Sequence, residues 1–598
     1  MPQRPAPLRV LVTAPRPADL EPIPSRMHLE ALLDALEDQG DQLDVAWLWP
    51  NTWEALASRL ADAAHVPASI LCLDAPLTPA ADGAQICFER PEGDKTFPIG
   101  QELFDLLVSH EVALLIARPI SVAQLPPASP RASFAAWAAK SALPVLLIAP
   151  ELPPETLRQA ISAFLAALLA GESLATALKE AHTILVDARG QQKWRPEEAL
   201  ALYAGDADRP LVQPAAREAS GIGKVIRFPK AGLSAAWRNL PAPPAVGALP
   251  SEPSQGFWGR AAELVAIEHA LRSPARGGVW LYGHLGVGKT TLMAHAARWL
   301  VRTGRFTRVV YSSFYGGGLP EAALAELGKR LVGEAFRPTA EDALAQVEAA
   351  LAETPTLVIW DNLEAVFREG EFAYEADAWQ QLCELAGRIA SAGDSRLCML
   401  SDTLSRPDQA ASLPLTQALA IPPLVAGDGV QLLTALLREA RAPLPERQVL
   451  EELIALLGAH PLTLCILSYL LSKASAPEIL AGLEAQFPGL RRGEARSGNQ
   501  ALEMVITYLL SPLEGPLRGR LYGLGVFRDG AMQPFAGSIA QLEEGEWDAL
   551  RQMLAAEKRV KIRYHLRPDS VLLAKNRVHG VNFLDLKKKR IVQVRADV

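Results

Sequence analysis

Short apolar runs and amphipathic stretches alternate along the first third of the chain. Leu8–Thr13, Leu43–Trp49, Ser69–Leu73, Val112–Ala117 and Pro144–Ala149 are brief and rich in branched or leucine side chains, which predicts strands buried on both faces. Between them, HLEALLDALED (28–38), TWEALASRLADA (52–63) and SFAAWAAKSA (133–142) space apolar residues three and four apart, as a helix with one buried face requires. ICFERPEGDKTFPI (86–99) reads as a hairpin turning at Pro91-Glu92-Gly93-Asp94. This alternation predicts an α/β domain with a mainly parallel sheet over residues 1–205.

Residues 206–253 lose the pattern. GIGKVIRFPKAG and LPAPPAVGALPSEPS are rich in Pro, Ala and Gly, a linker composition. Periodicity resumes at Phe257, with strands expected at Val279–Tyr282, Arg308–Ser312, Thr356–Trp360 and Arg396–Leu400 and helical stretches such as AEDALAQVEAALAE between them, a second α/β unit over 254–424. Over 425–495 only the helical pattern persists, in GVQLLTALLREA and QVLEELIALLGAHPLTLCILSYLL, which predicts a helical lid. In 496–598, ALEMVITYLL and EWDALRQMLAAEKR read as helices and RVKIRYH, SVLLA, VNFLDL and RIVQV as short strands, the order of a winged-helix-like domain. The end is basic, with Lys587, Lys588, Lys589 and Arg590 in a row. No period of ~20–50 residues repeats, so no solenoid is expected.

Composition adds bounds. A chain of 598 residues exceeds one core, and at ~100–200 residues per domain it should hold three to five units. With 49% hydrophobic and 21% charged residues and a net charge of −8, it has the balance of an ordinary globular protein, favouring neither nucleic acid nor a membrane surface. No apolar stretch approaches the ~20 residues of a membrane span, and the run in MPQRPAPLRVLVTAPRP is too short for a signal peptide, so a cytoplasmic protein is expected. Cys72, Cys87, Cys383, Cys398 and Cys465 are scattered without a CxxC pair and read as reduced core residues.

The chemistry concentrates in VWLYGHLGVGKTTL (279–292), where Gly283-x-x-x-x-Gly288-Lys289-Thr290 follows an apolar strand and opens a helix. This is the phosphate-binding P-loop pattern. Gly283, Gly286 and Gly288 lack Cβ atoms, so the loop can turn successive backbone N–H groups toward phosphate oxygens. Lys289 reaches the β- and γ-phosphates, Thr290 holds Mg²⁺ through its hydroxyl, and the helix N-terminus adds a favourable dipole. The nucleotide-binding set from the loop is Gly283, Gly286, Val287, Gly288, Lys289, Thr290 and Thr291. A P-loop ATPase also needs an acid at a neighbouring strand tip to hold Mg²⁺, and TLVIWDNLE supplies Asp361 there. The next residue is Asn362, whose amide cannot take a proton from water. Glu364, three residues beyond Asp361, is the candidate to orient the attacking water.

In combination these motifs resemble the STAND class of signalling ATPases, with its NB-ARC and NACHT-like members. Phe257-Trp258-Gly259-Arg260-x-x-Glu263-Leu264 is similar to their FxGRxxEL motif, which would set Arg260 near the nucleotide base. Gly458-Ala459-His460-Pro461-Leu462 is similar to their GLPL motif, whose proline, here Pro461, would contact nucleotide from the helical domain. The resemblance covers roughly residues 255–565 and implies ATP/ADP as the ligand, ADP holding a closed form and ATP exchange permitting opening and self-association. One departure matters. Family members end the fourth strand with Thr-Ser/Thr-Arg, whereas Leu400-Ser401-Asp402 stands here, so slow hydrolysis is expected unless Arg406 substitutes.

The first 205 residues resemble the CHAT domain, a caspase-like protease fold often fused to STAND ATPases. The matching stretches are the 86–99 hairpin, VALLIARPIS, LPVLLIAP and AISAFLAALLAGESLATALKEAHTIL. Active members carry His-Gly after one strand and Cys after the next; here ILCLDAP (70–76) has no histidine, and in LLIARP (114–119) Arg118 stands near the cysteine position. His65, Cys72 and His110 are the remaining candidates for a dyad.

The expected fold class is therefore α/β: a degenerate caspase-like domain, a P-loop NTPase domain, a helical lid and a winged-helix-like C-terminal region. The implied function is a nucleotide-controlled signalling switch in bacterial defence or regulation, binding a protein partner through its N-terminal domain and forming a nucleotide-dependent homo-oligomer. Two alternatives are an ATP-dependent transcription regulator that binds DNA through the winged helix, and an ATP-gated protease with a non-standard CHAT active site.

Overall fold

A computed structural model describes residues 8–211 and 249–511 except 21–22, 24–25, 63–68, 81–82, 91–95, 122–128, 187–194, 209, 273–276, 315–319, 365–375, 403–415, 488–497 and 510. Beyond 511 it describes 543, 545, 562–563, 583–585 and 590–594. His65, the 91–94 turn, most of 206–253, Arg406, all of EWDALRQMLAAEKR, SVLLA and Lys587–Lys589 lie outside the described residues. By their packing the residues form two units. The first comprises Met1–Gly247, Arg260–Pro274 and Trp299–Arg308; the second comprises Ala248–Gly259, Ala275–Arg298 and Val309–Val598.

The apolar runs of the first unit become β1 (Leu8–Thr13), β2 (Leu43–Trp47), β3 (Ile70–Ala80), β4 (Gly83–Glu89), β5 (Thr96–Ile99), β6 (Leu114–Ser121), β7 (Val145–Ile148) and β8 (Leu200–Tyr203). Among the described residues they make one sheet in the order β2-β1-β3-β6-β7-β8, with β4 hung on β3 and β5 on β4. From β2 to β7 the pairings along this path are parallel; β8 closes the edge antiparallel to β7. Leu71, Leu73 and Leu115 on one face and Ile70, Leu114 and Ile116 on the other are fully or almost fully buried, as strands covered on both faces require.

Two departures from the sequence pattern have physical causes. β3 runs on past Leu73 to Ala80, because Asp74–Leu77 pairs with Arg118–Ser121 of β6 and Leu77–Ala80 with Gly83–Ile86 of β4. Pro76 and Pro79 hid that extension, since proline in a run reads as a strand end. β8 is only four residues long, too short to show an apolar period. The helix Ala261–Arg272 packs in this unit through Leu264, Ile267, Ala270 and Leu271, and its Glu268 and Arg272 pair with Arg26 and Glu89.

In the second unit β9 (Gly278–Tyr282), β10 (Arg308–Ser313), β11 (Thr356–Asp361), β12 (Arg396–Ser401) and β13 (Thr416–Ala420) form a sheet ordered β10-β11-β12-β9-β13 among the described residues. β9 lies between parallel neighbours β12 and β13. β13 escaped the sequence pattern because TQALA is an edge strand with no branched run, and Ala418 and Ala420 are exposed. The helices Ala426–Ala440, Arg447–Leu457, Pro461–Lys473, Ala476–Gln486 and Gly498–Leu509 share a core of Leu433, Leu437, Leu453, Leu464, Ile479 and Val505. Strands Ile562–Arg563 and Phe583–Asp585 each pair antiparallel with Arg590–Val594.

No single described helix is long and apolar enough to cross a membrane. The pair Pro461–Lys473 and Ala476–Gln486 passes only when combined, and it bends by 118° between two helices that share the core just described.

Candidate nucleotide site

The site begins where β9 runs out. Ile421, just past β13, donates its N–H to the Tyr282 carbonyl at 2.8 Å, holding the end of the strand. The loop then needs glycine at three points for different reasons. A Cβ on Gly283 would lie 2.6 Å from the Ile421 carbonyl oxygen, and one on Gly286 would lie 2.6 Å from the Leu462 side chain. Gly286 and Gly288 also take φ of 77° and 94°, in the left-handed region. Val287 anchors the loop by full burial of its side chain. The helix Lys289–Arg302 follows at once, with the Gly288 carbonyl accepting its first bond from Leu292 N–H at 2.9 Å. Lys289, Thr290 and Thr291 are its first turn, where backbone N–H groups have no intrahelical partner.

Charged and hydroxyl groups gather beside this loop. Lys289 Nζ donates to the carbonyls of Gly283 at 2.7 Å and His284 at 3.1 Å. Thr290 Oγ1 donates to Asp361 Oδ2 at 2.8 Å, and Tyr311 Oη donates to the same oxygen at 2.7 Å. Asp361 ends a wholly buried strand and is 2% exposed; its Oδ1 accepts the Asn362 N–H at 2.8 Å. Asn362 takes a φ of 61° and donates from its side-chain amide to Ser313 Oγ at 3.0 Å. Glu364 Oε2 accepts the Asp402 N–H at 3.1 Å. Burial, then the Asp402 charge, pushes the Glu364 carboxyl up to about 7. Burial likewise pulls Lys289 down from its usual value, against the opposing pull of Glu364, Asp361 and Asp402.

The sequence-derived residues Gly283, Gly286, Val287, Gly288, Lys289, Thr290, Asp361 and Glu364 thus meet around one loop. Pro461 joins them: it is the first residue of the helix Pro461–Lys473, and a Cβ on Gly288 would sit 4.0 Å from its Cγ. Leu462 N–H donates to the Gly286 carbonyl at 3.2 Å, and His460 Nδ1 caps the helix by accepting from Thr463 N–H at 3.4 Å. Arg260 is different. It falls in the first unit, 5% exposed at φ 67°, with its guanidinium on Glu263 at 2.7 Å. Its neighbour Gly259, in the second unit, has no room for a Cβ beside the Asp428 carboxylate.

The donor set fits a magnesium nucleotide. Thr290 and Asp361 bring hard oxygen donors together, the chemistry a small divalent cation needs, and the loop's close approaches are made by residues without Cβ. Tyr311, Ser313 and Leu462 were not legible as site residues. In RVVYSS the period of two puts Tyr311 and Ser313 on one face, but sequence order does not say which strand lies beside β10.

A second polar cluster lies in the first unit. Asp74 and Arg118 face each other in register on β3 and β6 and pair at 2.5 Å, while Arg16 takes the other Asp74 oxygen at 2.5 Å. Burial alone would raise the Asp74 carboxyl, but Arg118 and Arg16 outweigh it and hold it below the usual range. Cys72, two residues earlier, is fully buried and its thiol is pushed up to about 12. His110 caps the end of the helix Gln101–Ser109.

Residues 256–467 match the AAA ATPase domain family. No curated protein sequence matches the chain. Among solved structures, the Aeropyrum pernix Orc1 protein in complex with DNA is 15% identical, over 59% of this chain and 92% of that one, at a TM-score of 0.27. Domain III of the Thermotoga maritima replication initiation protein DnaA is 14% identical, over 42% and 92%, at 0.25. C. elegans PCH-2 is 14% identical, over 42% and 69%, at 0.26. Likenesses this slight carry no functional argument. The family match and the loop agree: the chain carries a P-loop ATPase domain of the AAA type, a family that binds nucleotide, typically with Mg²⁺.

Proposed function

We propose that this chain is a cytoplasmic, nucleotide-controlled signalling switch of the STAND class. It binds ATP or ADP with Mg²⁺ through Gly283–Thr291, Asp361 and Pro461, hydrolyses ATP slowly, and assembles with itself in one nucleotide state. The observation that carries this reading is the hydrogen bond from Leu462 N–H to the Gly286 carbonyl. The helical segment proposed as a lid, 425–495, is joined by it to the middle of the phosphate loop, so a ligand that reshapes the loop biases the helices. Lys289 would hold phosphate, Thr290 and Asp361 the cation, and Glu364 the attacking water. Bound Mg²⁺ would supply charge neutralisation at the phosphates.

Residues 1–205 are proposed as a degenerate CHAT-like module that binds a protein partner. The support is chemical: Asp74 and Arg118, in the stretches where active members carry histidine and cysteine, are spent on each other, and Cys72 is a buried thiol. This disfavours the gated-protease alternative. The test of the whole reading is to denature the purified protein and identify the nucleotide released. ADP supports it; no released nucleotide, together with no affinity for Mg·ATP in a titration, overturns it.

The DNA-binding alternative has one favourable observation, the antiparallel pairing of Phe583–Asp585 with Arg590–Val594, which suits a wing. Salt-dependent duplex binding by the full chain, lost when Lys587, Lys588, Lys589 and Arg590 are changed to alanine, would favour it over the switch.

A further inference from the structure

Asp361 is a nearly fully buried carboxylate on which two hydroxyls converge: Thr290 Oγ1 at 2.8 Å and Tyr311 Oη at 2.7 Å, both on Oδ2. The two donors come from different mechanical parts. Thr290 belongs to the first helical turn, directly after the phosphate loop. Tyr311 belongs to β10, the strand next to β11 that carries Asp361. Tyr311 is thus tied to the sheet that carries Asp361 and not to the loop. On the other carboxylate oxygen, the Asn362 N–H at 2.8 Å is likewise set by the strand end.

We propose that Tyr311 is a positioning residue that holds the Asp361 carboxylate in the orientation that receives a divalent cation with nucleotide. The proposal rests on the reading of Asp361 and Thr290 as the cation-holding pair. Its chemistry is that of an outer-shell partner: a hydrogen bond to a ligating carboxylate fixes its rotation before the cation arrives, so less ordering is left to do on binding. Phenol suits the task because it donates one hydrogen bond from a rigid ring and stays neutral near pH 7. A cationic donor there would neutralise the carboxylate and compete with the metal.

The experiment is Tyr311→Phe, which keeps the ring and removes only the hydroxyl. Mg²⁺ is titrated at fixed ATP and the half-saturating Mg²⁺ for nucleotide binding is read by fluorescence or calorimetry. Nucleotide affinity is read again in EDTA. The expected result is a rise of roughly 10-fold or more in the Mg²⁺ requirement, with metal-free affinity within about twofold of the parent. Lower thermal stability with an unchanged Mg²⁺ requirement would mean the hydroxyl only satisfies a buried carboxylate, and would overturn the proposal. Should the variant prove poorly folded, Tyr311→Gln, a neutral side chain that still donates, should return the Mg²⁺ requirement toward the parent's; failure to do so also counts against it. If the parent binds no nucleotide with or without Mg²⁺, the site assignment itself has failed, which is a different result.

Discussion

Leu462 and Gly286 are joined twice: by the Leu462 N–H on the Gly286 carbonyl, and by a side chain that leaves no room for a Cβ on the glycine. The left-handed φ of 77° at Gly286 adds a second reason against any other residue. Gly286→Ala should therefore cost about 1–3 kcal/mol of local strain and weaken nucleotide binding at least tenfold. Isothermal titration with ADP checks it; parent-like affinity would show that loop and helix can separate without consequence.

Lys289→Ala should abolish nucleotide binding and leave the fold intact. The side chain contacts loop carbonyls and contributes no apolar core, so the loss is of a phosphate contact. Circular dichroism and an ATP titration read the two halves separately. Retained affinity would remove the central residue of the site.

Glu364 predicts a pH dependence with a definite sign. Its folded carboxyl lies near 7 against an ordinary 4.5, so the folded chain binds this proton more tightly than the unfolded chain. The contribution to stability is complete below pH 4.5 and is lost as pH rises through 7. Above that, the buried charge costs up to about 3 kcal/mol. Glu364→Gln keeps an acceptor for the Asp402 N–H and never ionises, so it should stabilise the protein at pH 8 and change little at pH 5. Equal effects in urea unfolding at the two pH values would contradict the assignment.

Turnover should be slow, well under the enzyme median of ~10 s⁻¹. Asn362 is turned to Ser313, and a carboxylate, Asp402, stands where the STAND resemblance leads one to expect a cation. What rate remains should rise as pH passes 7 and Glu364 ionises, and this rise should vanish in Glu364→Gln. A fast steady-state rate without a partner would show that another group orients water.

The phosphate loop was legible because its chemistry is local: glycines, lysine and threonine act within eight residues, and strand and helix periods flank them. Asp361 was legible because an apolar run that ends in a carboxylate marks a buried strand tip. Tyr311 and the Leu462 contact were not, since both depend on which strand and helix lie alongside, a matter of tertiary order that no single period encodes. The same holds for the helix Ala261–Arg272, which follows the linker in sequence yet packs in the first unit. Arg118 stood out in sequence only as an oddity; its meaning came from the register that sets it opposite Asp74.

That buried pair predicts its own behaviour. Arg118→Met leaves Asp74 with Arg16 alone and should destabilise by about 3–5 kcal/mol, much of it recovered on adding Asp74→Asn. The depressed Asp74 carboxyl contributes stability above pH 3.8 that is lost as pH falls through its lower folded value. By contrast, changing Cys72, His65 and His110 together to alanine should leave signalling intact. Loss of a peptide-cleaving activity present in the parent would return the protease reading.

The most direct test of the switch is hydrogen exchange of the full chain saturated with Mg·ADP, or with a magnesium complex of a non-hydrolysable ATP analogue. A nucleotide-driven switch gives different protection in the two states for peptides covering 283–292 and 461–473, and no difference in Lys289→Ala. Identical exchange at both segments, with both nucleotides demonstrably bound, would contradict it.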